Sequence, residues 1–315
     1  MNAPANVGER LLTLGPALGD APALSVAIPF YKHDPAALLA RLGVAPSGVE
    51  FVLLDDGTAS AEMLSGVMQA AERLHAPVRI VVWAQNGGRA SARNRLIAEA
   101  RGEYVLFLDA DMAPESPRFL ATWLGIIRTQ RPFVAFGGLS LHNVARTPET
   151  ALHHGLFARS DCRSARERMR SPAQFTATSN LLVRRDFLAA NPFDADFAGW
   201  GFEDVDWALS AAKHAPILHV DNAAAHTGLD SAETLLRKFA EAGPNFGRLA
   251  RKHPSEVSRF AAHRVARLLR WAPARNAARE LCAWLARDPR GATPMALRCA
   301  AAKLYRAAHY AEHLP

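Results

Sequence analysis

Apolar positions along this chain fall in short unbroken runs, separated by stretches in which leucine and alanine recur at helical spacing. Leu24-Ser-Val-Ala-Ile-Pro-Phe30 is the first run, and Asp34 to Leu42 behind it has the spacing of a helix, so this segment reads as strand, loop, helix. The order repeats. Glu50-Phe-Val-Leu-Leu-Asp-Asp56 predicts a strand ending in two acids, followed by a polar turn at Gly57 to Ser60 and a helix over Ala61 to Leu74. Val78 to Trp83 predicts a third strand, Asn86-Gly-Gly88 a turn and Ala90 to Ala100 a helix, after which Tyr104-Val-Leu-Phe-Leu108 predicts a fourth strand running into Asp109-Ala-Asp111. Near-continuous apolar strands alternating with helices predict an α/β fold whose mostly parallel central sheet is covered on both faces. Ligands of such sheets bind beyond the carboxyl ends of the strands, where this chain places its acids.

The second half is less regular. Strands are predicted at Phe133 to Phe136, Ala177 to Val183 and Ile217 to Val220, and helices at Glu203 to Lys213 and Ala232 to Lys252. From Pro254 onward the composition shifts to Ala, Arg, Leu and Trp, so the chain divides into a leader over 1–22, an α/β domain over 23–253 and a helical extension over 254–315.

Composition changes this picture in two places. The net charge of +7 is uneven: Arg248 to the end holds 14 Lys and Arg against 4 Asp and Glu, or +10, leaving 23 − 26 = −3 for the rest. A basic segment on a mildly acidic body points to an anionic surface, membrane lipid before nucleic acid, or to a solvated arginine-rich helical face. Arg259, Arg264, Arg267, Arg270, Arg275 and Arg279 are interleaved with Leu268, Leu269, Trp271, Leu281 and Trp284, a mixture suited to a headgroup boundary. The cysteines, Cys162, Cys282 and Cys299, are widely spaced and odd in number, which argues against a disulfide framework or a structural zinc site. No apolar run reaches the roughly 18 to 20 residues that span a bilayer, and Met1 to Asp20 has neither a basic start nor an apolar signal core. The expected location is cytoplasmic, peripheral at the inner face of the membrane.

The chemistry concentrates at strand ends. Asp109 and Asp111, two carboxylates at i and i+2 after a buried strand, can share one hard divalent cation, Mn²⁺ or Mg²⁺, that also bridges a diphosphate. Asp55 and Asp56 can accept hydrogen bonds from a base edge or a ribose hydroxyl, or instead cap the amides of an Asp-Gly turn. Asn86-Gly-Gly-Arg-Ala-Ser-Ala-Arg-Asn94 combines a glycine turn, a helix start and two arginines, which suits a diphosphate, yet it matches neither the dinucleotide nor the P-loop glycine pattern.

Ser25-Val-Ala-Ile-Pro-Phe30, Leu54-Asp-Asp-Gly57, Asn86-Gly-Gly-Arg with Ala92-Arg-Asn94, and Phe107-Leu-Asp-Ala-Asp111 together resemble glycosyltransferase family 2 in order and spacing. Gly199-Trp-Gly-Phe-Glu-Asp-Val-Asp206 resembles the W-G-G-E-D segment of its galactosyltransferase-like and chondroitin-polymerase-like members, with Phe202 in place of the second glycine. The resemblance covers roughly residues 23–245. It implies a GT-A fold, a nucleoside diphosphate sugar donor, most simply a UDP-sugar, a divalent cation, and inversion at the sugar carbon. It also implies that Pro29 and Asp56, with Asp55 and Asn86, lie against the nucleotide and that Arg93 sits near the phosphates. Asp111 becomes the principal metal ligand, Asp109 a ribose or metal ligand, and His226 in Ala-His-Thr-Gly completes the metal site. Glu203 contacts sugar hydroxyls, Asp204 acts as general base on the acceptor hydroxyl, and Trp200 stacks on a sugar or fills core. The expected partners are the donor, a glycan or lipid-linked acceptor and an anionic membrane surface, with nucleic acid disfavoured.

Two other classes compete with this reading. A sugar nucleotidyltransferase would place a glycine-rich basic loop after the first strand, where Pro29-Phe-Tyr-Lys-His33 stands. A membrane or nucleic-acid adaptor on a degenerate transferase fold would explain the basic extension but not the placed carboxylates.

Overall fold

A computed structural model of the chain describes residues 8–19, 21–288 and 290–315. Its main sheet is built from β1 (Arg10–Leu14), β2 (Leu24–Phe30), β3 (Val49–Asp55), β4 (Val78–Val82) and β5 (Tyr104–Leu108), joined later in the chain by β7 (Val134–Phe136), β9 (Asn180–Arg184) and β10 (Ile217–His219). Across the sheet the order is β1-β4-β3-β2-β5-β9-β7-β10. β4, β3, β2 and β5 run parallel, and these centre strands are buried at nearly every position because helices cover both faces. β9 runs antiparallel between β5 and β7, so the sheet is mixed beyond β5. β1 pairs antiparallel with β4 at the other edge, drawing part of the expected leader into the sheet. Residues 1–7 and 20 of that leader lie outside the described residues.

A second, three-stranded sheet stands beyond the carboxyl end of β5. It consists of β6 (Met112–Pro114), β11 (Ala224–His226) and β8 (Leu139–Ser140), in the order β6-β11-β8. β11 pairs antiparallel with β6 so that His226 lies opposite Met112, one residue past Asp111.

The helices α1 (Ala36–Leu42), α2 (Ala61–Glu72), α3 (Arg89–Glu99) and α4 (Phe119–Gln130) fill the connections of the first half. α5 (Ala151–Ser160), α6 (Ala165–Arg168), α7 (Arg185–Ala190) and α8 (Glu203–Ala211) follow in the less regular second half. The single helix expected over Ala232 to Lys252 is two, α9 (Ala232–Glu241) and α10 (Gly243–Lys252), because Pro244 at the start of α10 cannot continue a helical ladder. A Cβ at Gly243 would meet the His313 ring at 2.6 Å, so the break also lets the chain's last residues approach closely.

Beyond α11 (Pro254–Val257) come α12 (Ala261–Leu269), α13 (Arg275–Arg287) and α14 (Met295–Ala311). α14 is shared between two cores. Its Ala307, Tyr310 and Ala311 pack with Phe246 and Leu249 of α10, while Cys299, Ala301 and Ala302 pack with Leu152 of α5 and Leu235 and Leu236 of α9. The basic extension is therefore packed against the α/β domain. Its outer face stays open, with Leu268 81% and Trp271 82% exposed.

Candidate active site

A cleft of about 1040 Å³ opens beyond the carboxyl ends of β2, β3 and β5. Pro29, Asp56, Asn86, Arg93, Asp109, Asp111, Trp200, Asp204 and His226 all line it, although they come from six separate stretches of chain.

At one wall the β6–β11 pairing sets His226 against Asp111, and His226 Nε2 donates to Asp111 Oδ2 at 3.0 Å. Burial opposes charge on both, but their hydrogen bond outweighs it, holding the Asp111 carboxyl below and the His226 imidazole above its ordinary range. Thr227 donates to the Asp111 carbonyl through its amide (2.9 Å) and its hydroxyl (2.7 Å). A Cβ at residue 228 would come within 2.2 Å of Asp111 Oδ2, so only Gly228 leaves this carboxylate its place. The His226 ring stacks on Phe157 with centroids 5.0 Å apart, and its buried Nδ1 has no hydrogen-bond partner among the described residues. A carboxylate and an imidazole side by side at a cleft wall suit Mg²⁺ or Mn²⁺ if phosphate and water supply the remaining ligands. Among the described residues no three His, Cys, Asp or Glu side chains are gathered closely enough to hold an ion, and Asp109 Oδ1 faces Arg93 instead.

The Asn86-Gly-Gly88 turn is organised by Asp56. Its carboxylate accepts the amides of Gly87 (2.6 Å) and Gly88 (3.2 Å) and the Asn86 side chain (3.0 Å), which fixes the entry to α3. Burial nevertheless raises the Asp56 carboxyl to about 6. Asp55 is not part of the cleft wall: its carboxylate accepts the Thr58 amide at 2.8 Å and caps the turn, and it borders a separate depression with Ser60 and Trp83.

α3 brings Arg93 under the cleft floor, where its guanidinium bridges Glu203 (2.9 Å) and Asp109 (3.2 Å). Arg93 and Glu203 are 2% and 3% exposed. Burial works against the Arg93 charge, but these carboxylates more than compensate, and Glu203 is likewise held ionised by Arg89 and Arg93. Glu203, expected to meet sugar hydroxyls, is thus committed to Arg93 below the cleft surface. Among the described residues its neighbour Asp204 has no cationic partner at hydrogen-bond distance and takes only the Val205 amide at 2.8 Å. Burial and the Glu203 charge raise the Asp204 carboxyl to about 7. Asp206 points the other way, buried against His253 (2.9 Å) and Lys252 (2.8 Å).

The loop before α8 is held from the C-terminal side. Asn245 of α10, itself buried, donates from Nδ2 to the carbonyls of Ala198 and Gly201, both at 2.9 Å. Phe202 has φ +74°, a left-handed conformation costly for a side chain of its size, and its ring sits against Phe246 (5.3 Å) and Tyr310 (5.5 Å). Trp200 rises between these anchors into the cleft, 6.4 Å from the Phe239 ring. The Asn245 clamp has no motif in the sequence. The Gly228 approach is signalled only by the glycine of Ala-His-Thr-Gly.

Comparisons with known proteins bear on the family and the fold. A model of the family described as glycosyl transferase family 2 matches residues 25–190. A validoxylamine A glucosyltransferase of Streptomyces hygroscopicus subsp. limoneus is 27% identical over 282 residues, 79% of this chain and 61% of that protein. The chain thus spans less than two thirds of the length of this relative. Among solved structures, a mannosyltransferase of Pyrobaculum calidifontis, in complex with GDP-Man and Mn²⁺, superposes with a TM-score of 0.58 at 18% identity, covering 93% of this chain and 88% of that one. S. aureus TarS in complex with UDP-GlcNAc superposes with a TM-score of 0.51 at 16% identity, covering 92% and 91%. At these identities the likeness is one of fold, and that fold is the GT-A glycosyltransferase fold.

Proposed function

The chain belongs to glycosyl transferase family 2, and we propose that it moves a sugar from a nucleoside diphosphate donor, UDP-linked in the first instance, to a hydroxyl of a glycan or lipid-linked acceptor, with inversion at the anomeric carbon. The observation that carries this reading is Asp204: a carboxylate in the cleft to which no cation among the described residues is bonded, its carboxyl raised to about 7, at the start of a rigidly held helix. A base of that strength takes the acceptor proton at neutral pH while the acceptor oxygen bonds to the anomeric carbon. The bond from that carbon to the diphosphate oxygen breaks, and its electron pair leaves with the diphosphate.

The other residues orient the reactants. Pro29 and the Asp56-held turn at Asn86 offer the surface for base and ribose, Arg93 and Glu203 fix the floor beneath the reacting sugar, and Trp200 offers a ring face to it. Asp111 and His226, with Asp109 beside them, would hold Mn²⁺ or Mg²⁺. Such a cation, when bound, stabilises the charge on the departing diphosphate. The fold neighbours solved with GDP-Man and Mn²⁺ and with UDP-GlcNAc support a donor and a metal of this kind. We also assign the outer face of α12, α13 and the turn between them, where exposed Leu268, Trp271, Leu281 and Trp284 are interleaved with arginines, to an anionic membrane surface. No helix among the described residues is long and apolar enough to cross a membrane.

Incubation with Mn²⁺ and a panel of α-linked nucleotide sugars tests the central claim. The product, followed by proton NMR, is expected to be β-linked. An α-linked product, or no nucleoside diphosphate released from any donor, would overturn it.

A further inference from the structure

The cleft holds positive charge that the transfer step leaves unused. Arg89 and Arg93 are engaged by Glu203 at 3.6 and 2.9 Å, and Lys238 by Asp230 at 2.7 Å. Lys303 and Arg306, one turn apart on α14, line the same cleft, and among the described residues neither forms an ion pair. Two unpaired cations on adjacent turns repel each other unless an anion lies between them. Arg306 is also held in place. Its guanidinium lies 5.1 Å from the Phe239 ring and 6.0 Å from the Tyr310 ring, and its Nε is buried with no hydrogen-bond partner among the described residues.

Phe239 links this pair to the reacting region, because its ring is 6.4 Å from Trp200, which stands in the loop that leads into Asp204. Of the neighbouring acids, Glu241 pairs with Arg237 at 2.9 Å and Asp230 with Lys238, while Asp161, which accepts the Ser160 hydroxyl, feels the Arg306 charge without forming an ion pair with it.

We propose that Lys303 and Arg306 form an anion subsite on the acceptor side of the cleft, taking a phosphate or carboxylate that the acceptor carries away from the hydroxyl it offers to Asp204. The proposal rests on the reading of the cleft as a donor and acceptor site, and it narrows the acceptor to an anionic one. A planar guanidinium and an ammonium present several donors to phosphate oxygens, which a neutral sugar cannot exploit to the same degree. The anion can be borne by a soluble phosphorylated sugar or by a lipid phosphate.

The experiment uses the full chain and three variants: Lys303→Ala, Arg306→Gln, which keeps the stem against Phe239, and the double variant. Affinities for glucose, glucose 6-phosphate, geranyl phosphate, inorganic phosphate and UDP are measured by calorimetry with Mn²⁺, with and without saturating UDP for the first four. At least one of the phosphates is expected to bind at least about tenfold more tightly than glucose, with most of that preference lost in the double variant and UDP affinity held within about twofold. A preference for geranyl phosphate identifies a lipid-borne anion and one for glucose 6-phosphate a soluble one. Three results would overturn the proposal: no phosphate preferred over glucose, a preference untouched by the substitutions, or a parallel loss of UDP affinity, which would give these cations to the donor diphosphate. Failure of the wild-type protein to bind UDP would instead count against the donor site, and the phosphate measurements without UDP still decide on the subsite.

Discussion

Replacing Asp204, the proposed base, with asparagine removes a proton acceptor and a desolvated charge at once, and the two effects move in opposite directions. The carboxamide keeps the shape and the contact with the Val205 amide but cannot take a proton. Turnover should fall by about 10² to 10⁴, or roughly 3 to 5 kcal/mol of barrier, with donor affinity within about twofold, because the interaction is made in the transition state. In the wild type the base must be ionised, so kcat/KM should rise about tenfold per pH unit on the acid side of about 7 and level off above it. Stability follows the same carboxyl with the opposite sign. Its folded-state value lies above the ordinary 3.8, so the folded protein binds the extra proton, and stability falls as pH rises from about 4 to about 7. The full difference corresponds to about 4 kcal/mol; discounted for the water that reaches the cleft, about 2 kcal/mol is expected. Asp204→Asn should therefore melt several degrees higher than wild type at pH 8, with the gap closing by pH 4. Released nucleoside diphosphate measures the first effect and thermal melts across pH the second. Turnover within tenfold of wild type would move the base elsewhere, and a variant no more stable at pH 8 would refute the electrostatic account of Asp204.

Asp111→Asn should keep the fold yet lose about tenfold or more of Mn²⁺-dependent UDP affinity in calorimetry, since a charge and an oxygen ligand go together; unchanged affinity would remove Asp111 from the metal site. Arg93→Met leaves Glu203 ionised and buried with only the more distant Arg89, 3.6 Å away, beside it and should destabilise by about 3 to 5 kcal/mol in urea titrations, with Glu203→Gln in the same chain recovering more than half; a loss below about 1 kcal/mol would mean that Arg89 or water replaces it. Wild-type protein should sediment with anionic but not neutral vesicles and release as salt rises, and Leu268→Ser with Trp271→Ser should weaken this binding; equal partitioning with and without the two substitutions would end the membrane assignment.

The central strands could be read from the sequence because full burial leaves uninterrupted apolar runs, and β2, β3, β4 and β5 lie within a residue or two of the expected places. The three-residue strands β6 and β11 could not, since so short a segment shows no period, although they bring His226 to Asp111. The reversed direction of β9 was equally hidden, because pairing direction leaves no mark on a buried strand's own residues. At the cleft, most of the residues picked out by type and motif line one cavity, but the partners each takes were hidden. Asp55 is taken by Thr58 and Glu203 by Arg93, and neither contact is visible from spacing. The two halves of the Ala232 to Lys252 segment have continuous apolar spacing, and only Gly243-Pro244 marked the break.

Phe202 and Asn245 bear on how this protein could be re-engineered or could diverge. A workable graft between relatives needs a seam that crosses few dependencies, and a cut near residue 253 looks suitable on composition alone. Here the turn that presents Asp204 is propped on a ring socket drawn half from α10 and half from α14, and the backbone conformation at Phe202 depends on that prop. Exchanging the last helices to import another acceptor preference would remove Tyr310 and leave a bulky residue in a left-handed turn with half its support. Positions 202, 246 and 310 are therefore expected to change together or not at all, and a successful chimera would carry glycine at 202 or bring its own socket with the transplanted helices.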